Sequence, residues 1–122
     1  MLLSFIFFTA CGQSARPSTW ADPLEKPGLA NLRKVDENIY RGARPTVEGL
    51  KELEKMGIKT ILNLESFHSD EDEIAESGTG FNYRQIYMKA CHIEDEDIIE
   101  ALKIQTDENN YPVFVHCLHG AD

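Results

Sequence analysis

The sequence predicts a single α/β domain, in which a mostly parallel central sheet is flanked by helices. Its 122 residues are enough for one hydrophobic core, and the 42% apolar and 27% charged residues are close to globular usage. From Val35 onward, short apolar runs typical of strands alternate with segments whose apolar residues recur at helical spacing. Such alternation is typical of parallel sheets, whose ligand sites lie beyond the carboxyl ends of the strands.

The first predicted elements lie between residues 35 and 64. Residues 35–41 (VDENIYR) form a short extended run. Thr46 can cap a helix with its hydroxyl, and apolar residues repeat along one helical face over residues 47–56 until Gly57 ends the helix. Residues 58–64 (IKTILNL) are rich in Ile and Leu, which indicates a buried strand.

The later elements continue the alternation. A short helix is predicted over residues 70–77, with acidic residues 70–73 as its solvent-exposed first turn. Residues 81–87 (FNYRQIY) alternate and contain aromatic residues, which favours a strand. A second acidic run, at residues 94–97, suits the positive end of a helix dipole and predicts a helix that ends near Asn110. Residues 113–115 (VFV) then form the last predicted strand.

The first 34 residues are expected to lie outside the domain. Residues 1–10 (MLLSFIFFTA) are too short to span a bilayer as a helix, but they have the length of the apolar region of an export signal. With Cys11 they resemble a bacterial lipoprotein signal, so residues 1–11 predict an exported lipoprotein that faces the periplasm or cell exterior and attaches to the membrane through lipidated Cys11. The alternative is a frayed apolar N-terminus on a cytoplasmic protein. Residues 12–34 are expected to form a tether.

Charge and cysteine content exclude several classes of protein. The formal net charge is −9, from 12 Lys and Arg against 21 Asp and Glu, so we expect no nucleic-acid partner. A small anionic substrate remains compatible with this charge, because one loop can be locally positive. The three cysteines are too few and too scattered for a disulfide scaffold or a four-ligand zinc site.

Residues 115–122 (VHCLHGAD) contain the candidate site, because they pass from a predicted buried strand into a loop. Cys117, just beyond the strand, can act as a nucleophile if backbone N–H groups and a following helix lower the pKa of its thiol. Gly120 allows the loop to curl, so that several N–H groups point inward and bind an anion such as phosphate.

Two other interpretations of this segment are weaker. Cys117 could be a small buried core residue, as cysteines often are. His116, Cys117, His119 and Asp122 are also suitable metal ligands, but ligands this close on an irregular loop rarely converge on one ion. We therefore predict no metal site.

Residues 115–122 resemble the start of the phosphate-binding loop of cysteine-dependent protein tyrosine and dual-specificity phosphatases. The signature of that family is His-Cys, five variable residues, Arg, then Ser or Thr. Residues 38–45 (NIYRGARP), Gly49-Leu50 and residues 57–64 (GIKTILNL) are similar to the first strand, first helix and second strand of bacterial dual-specificity-like members. The resemblance identifies residues 35–122 as a partial phosphatase domain, whose C-terminal helical part is missing from the sequence.

The resemblance implies a role for each residue of the loop. Cys117 would take the phosphoryl group as a cysteinyl-phosphate intermediate, and His116 would orient the loop and help to keep the cysteine ionised. The phosphate oxygens would bind the backbone N–H groups of the residues that follow, namely Leu118, His119, Gly120, Ala121 and Asp122. The arginine of the signature would clamp the phosphate from beyond Asp122.

A separate acidic residue would protonate the leaving oxygen and then activate water. Asp95 is the first candidate and Asp97 the second. Asp122 is a third, because in some relatives an aspartate just before the loop arginine has this role. Glu94 and Glu96 are chemically feasible as well.

The implied function is that of a protein phosphatase that hydrolyses phosphomonoesters on a phosphorylated protein or another molecule, with no metal or organic cofactor. We expect the 122-residue chain to be a fragment that is inactive or nearly so, because it lacks the loop arginine. We also expect an exposed apolar layer on one face of the sheet. The alternative is a catalytically inactive phosphatase-like module that binds a phosphorylated or anionic partner without turnover.

Overall fold

A computed structural model of the chain describes residue 17 and residues 20–121. The strands are β1 (Asp22–Pro23), β2 (Arg33–Lys34), β3 (Ile39–Gly42), β4 (Thr60–Asn63), β5 (Asn82–Gln85) and β6 (Val113–His116). The helices are α1 (Val47–Lys55), α2 (Glu71–Ser77) and α3 (Asp95–Thr106), and a 3₁₀ turn covers Glu108–Asn110. The predicted alternation of strands and helices from residue 35 onward is confirmed.

The strands form one sheet in the order β1-β2-β3-β6-β4-β5. Strands β3, β6, β4 and β5 are parallel, whereas β1 and β2 pair antiparallel at one edge, so the predicted mostly parallel sheet is confirmed. Strand β6 lies between β3 and β4, and its last residue, His116, is in register with both Gly42 and Asn63. The segments that follow residues 42, 63 and 116 therefore meet at one edge of the sheet.

Hydrophobic residues cover both faces of the sheet. Helices α1 and α2 lie on one face, over a cluster that comprises Leu29, Leu32, Leu50, Leu53, Ile58, Ile61 and Phe114. Helix α3 lies on the other face, where its Ala101 and Ile104 form a second cluster with Leu62, Ile86 and Val113. Within α3, Ala101 and Ile104 are buried, while Ile98, Ile99 and Leu102 are about half exposed. Helix α3 thus turns an apolar surface to solvent.

The expectation of a tether over residues 12–34 is wrong from Asp22 to Lys34. This stretch contains β1 and β2, and Leu29 and Leu32 are 4% and 1% exposed in the core. The two strands have two residues each, which is too short for an alternating pattern, and they form because β2 pairs with β3. A sequence pattern cannot show such pairing between strands.

Residues 1–16, 18, 19 and 122 lie outside the described residues. The predicted export signal with Cys11, the first part of the predicted tether, and Asp122 are therefore not described by the structure. In the described part of the chain, no helix has the length and apolar character needed to cross a membrane.

Candidate active site

Cys117 follows the last residue of the central strand β6, and it is partly exposed. It lines a small cavity of about 60 Å³ together with residues of β3 and β6 and with Gly120. It also lines a larger cavity of about 470 Å³ that opens on the other side, toward the segments after β4 and β5. The thiol therefore lies at the carboxyl edge of the sheet, where parallel sheets bind ligands.

Gly120 closes the loop over the sulfur. Its backbone N–H donates a hydrogen bond to Cys117 Sγ at 3.1 Å, and its φ of +72° lies in the left-handed region that favours glycine. A Cβ atom at position 120 would lie 2.4 Å from the carbonyl carbon of Gly42, so the loop packs directly on the end of β3. Both the backbone angle and this close approach require glycine.

The carbonyl groups of the loop are bound by residues outside it. The N–H of Arg44 donates to Leu118 O at 3.2 Å, and Asn31 Nδ2 donates to His119 O at 3.2 Å and to Gly120 O at 3.1 Å. Arg41 Nη1 also donates to Gly120 O, at 3.1 Å. In a trans peptide, each carbonyl points away from the N–H of the next residue. The N–H groups of residues 119–121 therefore face away from these partners, in agreement with the contact of the Gly120 N–H with Sγ.

His116 lies behind the loop with a completely buried side chain. Its Nε2 lies 2.5 Å from Asp70 Oδ2, and its Nδ1 lies 3.1 Å from the carbonyl oxygen of Cys117. Asp70 directly precedes α2 and is 1% exposed. The prediction of a solvent-exposed acidic turn at residues 70–73 is therefore wrong for Asp70. A run of acidic residues resembles a solvated turn, and the partner that buries Asp70 is distant in sequence.

Two amide side chains, the buried Asn63 and the partly buried Gln85, fix the loop between β4 and α2. Asn63 Oδ1 accepts from the N–H of Glu65 at 2.8 Å, and Asn63 Nδ2 donates to His68 O at 2.8 Å. Gln85 Nε2 donates to the carbonyl oxygens of Glu65 and His68 at 3.0 and 2.8 Å. These bonds hold Asp70 in the position from which it reaches His116.

Glu65 forms a two-point ion pair with Arg44, with N–O distances of 3.0 and 2.5 Å. Desolvation raises the pKa of the Glu65 carboxyl. The hydrogen bond and positive charge of Arg44, together with smaller effects of His116 and His68, lower it by more, so the pKa lies below its usual value. The contact with Glu65 also raises the pKa of Arg44.

Glu65, Asp70 and His116 bring ligand-type atoms within 4.8 Å of one another. Glu65 is bound to Arg44, and His116 is bound to Asp70 Oδ2. We therefore describe this group as an ion-pair network.

The structure does not bring Asp95 or Asp97 into contact with Cys117. Asp95 opens α3 and is exposed, and Asp97 lies in the same first turn. Neither residue lines the two cavities at Cys117. Among the loop residues, Leu118, His119 and Ala121 are exposed, and Asp122 lies outside the described residues.

The larger cavity has a mostly apolar wall. Phe67 is 95% exposed at its rim, and Leu118 and Met88 also contribute to the lining. The cationic side chains in this lining are Arg44, which is paired with Glu65, and Lys89. Sequence reasoning missed this wall, together with Asn31 and Asp70, because these residues come from separate segments that only the fold brings to Cys117.

Comparison with known proteins gives a consistent result. A sequence model of the tyrosine phosphatase family matches residues 29–122. The dual specificity protein phosphatase TpbA of Pseudomonas aeruginosa is 26% identical over 108 residues, which cover 88% of this chain and 47% of the relative. The inositol diphosphatase DSP4 of Arabidopsis thaliana is 32% identical over 97 residues, which cover 74% of this chain and 48% of the relative.

Solved structures share the fold. TpbA from P. aeruginosa in complex with pTyr superposes with a TM-score of 0.72 at 22% identity, over 88% of this chain and 64% of that one. The core catalytic domain of the PP-IP phosphatase SIW14 from S. cerevisiae, in complex with citrate, gives a TM-score of 0.63 at 26% identity, over 75% and 58% of the two chains. The chain spans about half the length of the curated relatives that it matches.

Proposed function

Since the chain belongs to the tyrosine phosphatase family, we propose that the protein is a phosphatase that hydrolyses phosphomonoesters with Cys117 as the nucleophile. One observation carries the proposal. The sulfur lies at the carboxyl end of β6 and accepts the Gly120 N–H at 3.1 Å, within a loop whose carbonyl groups bind elsewhere. Backbone donors aimed at a sulfur favour its thiolate form and can then bind the oxygens of a phosphate.

The reaction follows from this arrangement in two steps. The Cys117 thiolate attacks phosphorus in line with the leaving oxygen, an S–P bond forms, and the bond from phosphorus to the leaving oxygen breaks as a general acid protonates that oxygen. The backbone N–H groups of residues 118–122 bind the phosphoryl oxygens, and His116 orients the loop. Water then attacks the cysteinyl phosphate and gives a proton to the conjugate base of that acid, so that the S–P bond breaks, inorganic phosphate leaves and the thiolate is restored.

The general acid remains to be chosen among Asp95, Asp97 and Asp122. Replacing the acid with asparagine should slow hydrolysis by about 10²–10⁴-fold, and most for substrates with poor leaving groups. Each aspartate should therefore be tested separately on two aryl phosphates that differ in the acidity of the leaving phenol. The general acid is the residue whose replacement widens the difference in hydrolysis rate between the two substrates.

The cavity beside Cys117 favours an aryl phosphate such as phosphotyrosine. Its wall includes Phe67, Met88 and Leu118, which can pack against a ring, and Arg44 in the same wall is already paired with Glu65. An inositol diphosphate carries several negative charges, whereas the described residues of this lining offer one other cationic side chain, that of Lys89. TpbA was solved in complex with pTyr, whereas other relatives are inositol diphosphatases, so both substrates should be compared.

The test uses the complete reading frame that encodes this sequence. Hydrolysis of a phosphotyrosine peptide should exceed that of an inositol diphosphate and should disappear in Cys117→Ser, while the urea midpoint of the variant stays close to that of the wild type. Activity that survives in Cys117→Ser would exclude Cys117 as the nucleophile. Tight binding of the peptide without turnover would instead favour the alternative, a phosphatase-like binding module.

For the 122-residue chain by itself we propose little or no turnover. Arg44 is paired with Glu65, and Arg41 donates to the carbonyl oxygen of Gly120, so neither guanidinium is placed as a phosphate clamp. Activity of this chain comparable with that of the complete reading frame would refute this part of the proposal.

We also propose export and membrane attachment through a lipidated Cys11, on the basis of residues 1–11 alone. A protein expressed with its native N-terminus should enter the detergent phase, and its mature N-terminal peptide should begin at a modified Cys11. The variant Cys11→Ser should stay in the aqueous phase. An unprocessed cytoplasmic wild-type protein would show that the proposal is wrong.

A further inference from the structure

The buried contact between Asp70 and His116 has no direct part in the phosphoryl transfer proposed above. We infer that Asp70 is a positioning residue, which keeps His116 protonated on both ring nitrogens so that its positive charge stabilises the Cys117 thiolate. This inference rests on the proposed function only in taking Cys117 as the nucleophile.

The inference is drawn from the hydrogen-bond partners of His116. Nδ1 lies 3.1 Å from the carbonyl oxygen of Cys117, and a carbonyl oxygen can only accept. Nε2 lies 2.5 Å from Asp70 Oδ2, and an ionised carboxylate can also only accept. With Asp70 ionised, both nitrogens must therefore donate, which makes the ring an imidazolium. The two side chains are 0% and 1% exposed, so each depends on the other for a partner.

The charges around His116 support this assignment. Glu65 Oε2 lies 3.8 Å from His116 Nδ1, and Glu65 is paired with Arg44. With His116 charged, this group contains two positive and two negative side chains, namely His116, Arg44, Glu65 and Asp70, of which Arg44 alone is partly exposed. A neutral His116 would leave one negative charge without compensation in a poorly solvated region, which is costly.

His68 supports the negative charge of Asp70 from the opposite side. Its Nε2 lies 3.6 Å from Asp70 Oδ1 and 3.3 Å from Glu73 Oε1 on α2. Within the described part of the chain, neither Asp70 Oδ1 nor His68 Nε2 has a hydrogen-bond partner. The groups that face His116 are therefore Asp70 and Glu65, with His68, Glu73 and Arg44 behind them, and Cys117 next to it in the chain.

The variant Asp70→Asn tests the inference because it removes the charge and keeps the size of the side chain. In the complete reading frame, the rate of Cys117 alkylation by iodoacetamide should be measured against pH. We expect the midpoint of this profile to move upward by about 1–2 pH units, which is the usual effect of a nearby opposite charge. The control Asp72→Asn removes the same charge from the exposed first turn of α2 and should leave the midpoint unchanged.

Two further measurements separate positioning from folding. In a His116→Asn background, Asp70→Asn should shift the midpoint no further, because the charge that Asp70 maintains is then absent. If Asp70→Asn does not fold, NMR of the wild-type protein near neutral pH should still show both ring nitrogens of His116 carrying protons. A singly protonated ring, or an equal shift in Asp70→Asn and Asp72→Asn, would overturn the inference. None of these readouts requires turnover, so they are independent of the Cys117→Ser activity test.

Discussion

The variant Gly120→Ala should damage the candidate site far more than it damages the fold. Gly120 has a φ of +72°, and an added Cβ would lie 2.4 Å from the carbonyl carbon of Gly42 and 2.7 Å from the nitrogen of Ala43. Carbon atoms pack favourably from about 3.5 Å outward, so the loop must move by about 1 Å. This shift would lengthen the 3.1 Å contact between the Gly120 N–H and Cys117 Sγ beyond hydrogen-bond distance.

The size of the effect follows from this displacement. A misplacement of about 1 Å at a reacting group costs about 10²-fold in rate, and the loss of one preorganised donor costs about 10²–10³-fold. We therefore expect Gly120→Ala to lower kcat/KM of the protein encoded by the complete reading frame by about 10²–10³-fold. The left-handed backbone alone adds a stability cost of about 1–2 kcal/mol for a residue with a Cβ.

Gly57→Ala is the matched control, because Gly57 has a φ of +83° and open space around the position of a Cβ. In urea denaturation it should show only the cost of the left-handed backbone, without the cost of a clash, and its kcat/KM should be unchanged. The alkylation rate of Cys117 should fall in Gly120→Ala and stay constant in Gly57→Ala. Equal activity of the two variants would refute the reasoning that the loop needs this close approach to β3.

Two other predictions concern stability. The pKa of Glu65 is lowered in the folded state, so its contribution is complete above the ordinary value of 4.5 and is lost as the pH falls through the lower folded-state pKa. Between about pH 5 and about pH 3, the urea midpoint of the wild type should therefore fall more than that of Glu65→Gln; parallel profiles would show that the ion pair with Arg44 contributes nothing. Phe114 is completely buried in the sheet, so Phe114→Ala should cost about 3–5 kcal/mol in urea denaturation. Tyr87→Ala, at a side chain that is 67% exposed, should cost less than about 0.5 kcal/mol, and similar losses in both variants would contradict the described core.

The periodic part of the fold could be predicted from the sequence. Apolar residues repeat along α1, so that Leu50 and Leu53 both lie in the core, and a short run rich in Ile and Leu forms the buried strand β4. The position of Cys117 just after a strand was predictable for the same reason, since the apolar run of β6 ends at His116. Patterns of this kind are local, and a single sequence displays them.

The contacts that build the site are not local, and the sequence does not display them. Asn31, in the expected tether, reaches the carbonyl groups of residues 119 and 120, and Asp70, in an acidic run, is buried against His116. Neither residue belongs to a motif that marks its role, and that role depends on the strand order that places β6 between β3 and β4. The mostly apolar wall around Phe67 depends on the same arrangement.

The most direct test of the account is to trap the covalent intermediate. The protein encoded by the complete reading frame should be quenched with acid during hydrolysis of an aryl phosphate, digested, and analysed by mass spectrometry. We predict phosphate on the peptide that contains Cys117, and no phosphopeptide from Cys117→Ser. Steady turnover with phosphate on a different residue, or with no phosphoenzyme at any quench time, would contradict the claim that Cys117 attacks phosphorus.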